Sequence, residues 1–73
     1  MAVQLVMDHS GDTRHSYDAK DERSLLEAKE RFRQLSGEGY IAAVRGTDGS
    51  STIIRSFDPT ADETLFFPRF VGG

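Results

Sequence analysis

Thr64-Leu65-Phe66-Phe67, closed by Pro68, decides the fold. Three apolar residues in a row leave neither face of a strand polar, which places the strand in the middle of a sheet. Pro68 has no N–H for the ladder, so regular pairing ends there. At its start the chain carries a second segment that is apolar on both sides, Ala2-Val3-Gln4-Leu5-Val6-Met7. The economical arrangement sets the two segments side by side, with both ends of the sequence meeting at the centre of one sheet.

Working outward, Thr13-Arg14-His15-Ser16-Tyr17 alternates and returns against the first strand through a polar loop, giving an N-terminal hairpin. Residues 21–36 read as a helix. Leu25, Ala28, Phe32 and Leu35 form its apolar stripe, which Leu26 is expected to widen. Asp18 or Asp21 caps its start and Glu22 sits in its first turn. Arg31 and Arg33 lie toward its C-terminal half, Glu27 and Arg31 stand at i,i+4, and Gly37 and Gly39 stop it. Tyr40-Ile41-Ala42-Ala43-Val44-Arg45 is a strand, Thr47-Asp48-Gly49-Ser50 a turn and residues 51–57 a further strand. Residues 58–63 form a loop, with one helical turn expected after Pro59. A lone helix must cover one face of the sheet to bury its stripe. The expectation is an α+β chain of the β-grasp arrangement: a mixed sheet of four to five strands with one helix packed on one face. Residues 1–68 are the domain and 69–73 a flexible tail.

Composition narrows the function. With 73 residues there is one domain and no room for a deep cleft of its own. Nine basic against twelve acidic residues give a net charge of -3, which argues against nucleic acid as a main partner. The absence of cysteine excludes a disulfide framework, a thiolate zinc site and a cysteine nucleophile in this chain. No apolar run approaches the ~20 residues of a membrane span, and Met1 is not followed by a signal-peptide pattern. The expectation is a complete cytoplasmic protein without a membrane partner. His9 and His15 flank the hairpin loop near Asp8 and Asp12, which reads as a solvated polar hairpin and not a metal site. Asp8, His9 and Ser10 are neighbours in sequence, but a triad is a spatial arrangement with an oxyanion hole. Nothing marks a self-contained enzyme or a cofactor of its own. The helix charges Glu22, Arg23, Glu27, Glu30, Arg31 and Arg33 read as a solvated face.

The C-terminal run Asp62-Glu63-Thr64-Leu65-Phe66-Phe67-Pro68-Arg69-Phe70-Val71-Gly72-Gly73 resembles the end of the small, sulfur-carrying subunit of molybdopterin synthase, with an acidic turn, two Phe, Pro and Gly-Gly. It also resembles the end of ubiquitin, where a Thr-Leu strand runs into an Arg-containing tail and Gly-Gly. The close match covers about the last dozen residues, and beyond it the order of elements is shared. The resemblance implies a ubiquitin-like modifier whose Gly73 carboxylate is adenylated by an E1-like enzyme, at that enzyme's expense of ATP. Gly73 is then passed as a thioester to a target, with an E2-like enzyme and a deconjugating protease as further partners. It equally admits a sulfur carrier, with Gly73 a thiocarboxylate for cofactor or thionucleoside synthesis; a β-grasp adaptor without terminal chemistry is the third reading. Residues without Cβ thread a narrow adenylating channel where others clash, which gives Gly72 and Gly73 their role. Arg69, Phe70 and Val71, with Phe67 and Ile54, are the candidates for binding the activating enzyme or another partner. Phe66 and Phe67 point to opposite faces. Whichever stands on the uncovered face, with Ile53 or Ile54 and a first-strand residue, makes an exposed apolar patch.

Overall fold

The structure, a computed structural model, describes residues 1–69. β1 (Ala2–Asp8) and β2 (Gly11–Tyr17) form the hairpin, α1 (Glu22–Gly37) crosses the sheet, and β3 (Tyr40–Arg45), β4 (Ser51–Ile54) and β5 (Glu63–Pro68) follow. The five strands lie in the order β2-β1-β5-β3-β4. β1 and β5 are parallel neighbours, with Leu5 opposite Leu65 and Val6 opposite Phe66. All other pairings are antiparallel. One helix on a mixed sheet with the first and last strands at its centre is the α+β β-grasp arrangement that the apolar runs predict.

Each helix end has its cap. The Asp21 side chain accepts from the Arg23 N–H and satisfies a first-turn donor. At the other end Glu38 N–H reaches back to Gln34 and Leu35, and Gly39 takes φ 97°, which a Cβ would penalise. Ala28 and Phe32 are buried, and Leu25 and Leu35 half-buried, as the stripe predicts. Leu26 is a correction. It is 65% exposed, because one residue past Leu25 lies about 100° round the helix and leaves the stripe.

The core sits between helix and sheet. Val6, Phe32, Ala42 and Phe66 form one buried cluster and Ala2, Tyr17 and Ala28 another. Phe57 packs against both. Its ring lies 6.0 Å from the rings of Tyr17 and Phe32, and Phe32 meets Phe66 edge-on at 5.5 Å. That packing explains a second correction. The fourth strand was expected over 51–57 but stops at Ile54, because Phe57 leaves the sheet to fill the space under the helix. The 58–61 segment is a turn without a helix: Asp58 accepts from the Thr60 N–H and hydroxyl, and Ala61 N–H meets the Asp58 carbonyl.

Candidate functional site

The route to the diglycine starts in β5. This strand holds the centre of the sheet, with β1 on one side and β3 on the other, and its last residue, Pro68, stands opposite Tyr40. Arg69 follows, exposed. Gly72, Gly73, Phe70 and Val71 lie outside the described residues.

Strand alternation sorts the remaining candidates. Phe66 is fully buried beneath the helix, so its neighbour Phe67 points to the uncovered face, half-exposed. In register on that face stand Leu5, Leu65, Ala43 and Ile53 across four strands, with Ile41 opposite Phe67. Leu65 and Ala43 are buried even there, whereas Ile53 is 66% exposed. The result is an apolar band across the open face. At its far end Arg45 Nε pairs with Glu63 Oε1 at 3.3 Å. Ile54, expected among the partner-binding residues, belongs to the other side. It packs half-buried against the cluster of Val6, Phe32, Ala42 and Phe66, because one step along a strand reverses the face. Ile53 takes the open-face position.

Ile54 and Arg69 do meet, in a groove at the tail end of the sheet. Its volume is about 490 Å³, and Tyr40, Ile41, Ile53, Ile54, Arg55 and Arg69 supply most of its wall. Arg55 and Arg69 are both exposed.

Beneath the helix lies a polar contact that the sequence does not advertise. Gln4 is fully buried. Its Nε2 donates to the Ala28 carbonyl at 3.0 Å, and its Oε1 accepts from Arg31 Nη1 at 2.9 Å. Arg31 therefore turns inward and away from Glu27, and the ion pair within the helix is Glu30–Arg33 at 2.7 Å. Gln4 stands in phase between Ala2 and Val6, which marks its side as the covered face but not its partners. His15 stands opposite Gln4 in the hairpin register. Partial burial, and then the Arg31 charge, hold His15 below the ordinary histidine pKa. Thr64, the other cross-strand neighbour of Gln4, has a buried hydroxyl without a hydrogen-bond partner among the described residues.

In the hairpin loop the neighbouring polar side chains serve the turn. Asp8 accepts from the Ser10 hydroxyl and N–H, and these bonds lower its pKa. Asp48–Ser50 and Asp58–Thr60 repeat the device. All three aspartates serve their own turns. Among the described residues no group of three or more His, Asp or Glu is placed to hold a metal ion, and no helix is long and apolar enough to cross a membrane. No family model, curated protein or solved structure gives a significant match to this chain.

Proposed function

We propose that this chain is a ubiquitin-like modifier, itself not an enzyme, whose Gly73 supplies the acyl group that an E1-like enzyme adenylates and transfers through a thioester to a target. The supporting observation is the placement of β5: a strand anchored on both sides in the sheet leads through Pro68 and exposed Arg69 into the sequence Phe70-Val71-Gly72-Gly73. The anchored body serves as a handle, and the two residues without Cβ are the ones that pass a narrow channel. The chemistry requires Gly73 to carry a free carboxylate in the mature protein. The carboxylate attacks the α-phosphate of ATP and pyrophosphate leaves. A thiol of the enzyme then displaces AMP, and a target nucleophile displaces the thiol. The open-face band around Phe67, Leu5 and Ile53 supports the same reading, since an apolar patch on a small domain is a place for protein partners.

The Phe66-Phe67-Pro68 approach to the diglycine favours a second reading, a sulfur carrier in which sulfide sulfur replaces AMP to leave a thiocarboxylate. The test uses N-terminally tagged protein in its native host. A ladder of higher-mass adducts on denaturing gels that disappears in Gly72→Ala/Gly73→Ala supports the modifier. Adducts that persist in that variant, or none with the activating enzyme expressed, count against it.

A further inference from the structure

We propose that the free edge of β4, with the groove beside it, takes an extended acidic and apolar peptide segment of a partner protein as a sixth strand. The order of the sheet leaves two edges, β2 and β4. They are not alike. β2 carries Asp12, Arg14 and His15 along its length, and charges on an edge discourage a further strand. β4 is Ser51-Thr52-Ile53-Ile54, with no charge and no proline, and Ile53 is the most exposed apolar side chain in the sheet. Among the described residues no strand pairs with its outer edge. Main-chain hydrogen bonds to such an edge supply affinity, and pockets for alternate side chains supply selectivity.

The groove lies where β4 ends at Ile54 and leaves the start of β3 uncovered, so it sets the chemistry of the part of an added strand that runs past Ile54. Tyr40, Ile41 and Ile54 give it apolar wall, and Arg55 and Arg69 give it charge. Arg33 and Arg45 are neutralised by Glu30 and Glu63, whereas Arg55 and Arg69 make no ion pair among the described residues. Glu38 lines an adjoining hollow with Tyr40 and Arg69. Two arginines without an ion pair among the described residues, at one groove of a chain with net charge -3, select a negative partner. A second copy fits poorly, because β4 against β4 sets residues 50–56 of each chain together and that segment contains Arg55 and no carboxylate.

The test is selection of a displayed library of random peptides on the full chain, in parallel with Arg55→Glu/Arg69→Glu, a surface variant expected to keep the wild-type melting temperature. The best peptide is then titrated into labelled protein. The proposal predicts enriched peptides that combine Asp or Glu with β-branched residues, and amide shifts centred on residues 51–55. It also predicts binding that weakens as salt rises and falls at least tenfold in the charge-reversed variant. Removing Gly72 and Gly73 leaves this binding unchanged, so its failure and the failure of the terminal chemistry are separate results. The proposal is overturned by no enrichment, by basic peptides, by equal binding to the charge-reversed variant, by shifts on β2 or the open face, or by self-association through β4.

Discussion

Thr64 and Phe66 sit two residues apart in β5, both buried under the helix, and they make opposite predictions. The Phe66 ring meets Phe32 edge-on and fills the centre of the core. Phe66→Ala removes that ring and leaves a cavity, at a cost of about 3–5 kcal/mol. That is much of the ~5–15 kcal/mol a domain possesses, so the variant should be largely unfolded or melt far below wild type. A melting temperature within a few degrees of wild type would mean that the core is not centred there. Thr64 carries a buried hydroxyl without a partner among the described residues. Thr64→Val keeps the shape and drops the unsatisfied group, so stability should hold or rise by about 1 kcal/mol. A clear loss in urea denaturation would show that the hydroxyl is satisfied after all. The residue scale was only partly legible beforehand. Periodicity found Phe32 and Ala28, since burial follows a helical stripe. It did not find Phe57, because a residue that leaves a strand to cap a core has no period.

At the scale of elements, the helix is held to β1 by chemistry as well as by apolar contact. Gln4 joins the Ala28 carbonyl to the Arg31 guanidinium. Gln4→Ala should cost about 1–3 kcal/mol, read as a lower urea midpoint, and release Arg31 to solvent; an unchanged midpoint would remove this contact from the account. His15, beside that contact, carries a pH dependence. Its folded pKa lies below 6.5, so the fold favours neutral imidazole. The associated stability is complete above pH 6.5 and is lost as pH falls through the lowered folded value. His15→Gln should flatten stability against pH just below 6.5 relative to wild type, and parallel curves would contradict the placement of His15. The turn aspartates follow the acid branch. Asp8, Asp48 and Asp58 are held below 3.8 by bonds from Ser10, Ser50 and Thr60. Their stabilisation is present above pH 3.8 and fades as pH falls through the lowered values. Carboxyl NMR titration should place all three midpoints below 3.8. Element types and most boundaries were legible, because capping and turn chemistry is local: Asp21 starts the helix, and Asp48-Gly49 turns the chain, with Gly49 at φ 87°. Arg31 was not legible as a buried-side contact, because Glu27 at i−4 offers a local partner and only the tertiary fold presents Gln4.

At the scale of the whole molecule, the topology followed from a small number of residues. Apolar runs at Leu65-Phe66-Phe67 and Leu5-Val6-Met7 required a central pair, and one helix required one covered face. The open face was legible as a face but not in its membership, since choosing between Ile53 and Ile54 needs the register of β3 on β4. The groove at Arg55 and Arg69 was not legible at all, because it joins residues from separate elements. The body thus presents an apolar face, an uncharged edge and a central strand whose sequence continues to the diglycine, and the central claim is that Gly73 is where covalent chemistry occurs. The most direct measurement is mass spectrometry of N-terminally tagged protein from its native host, intact and after digestion, with adducts retained. The account predicts a Gly73 carbonyl joined to target proteins, lost when Gly73 is deleted. A chain ending in a thiocarboxylate at Gly73 would keep the site but transfer the function to sulfur delivery. A chain that continues past Gly73, or ends there only as the free carboxylate with the activating enzyme expressed, would contradict it.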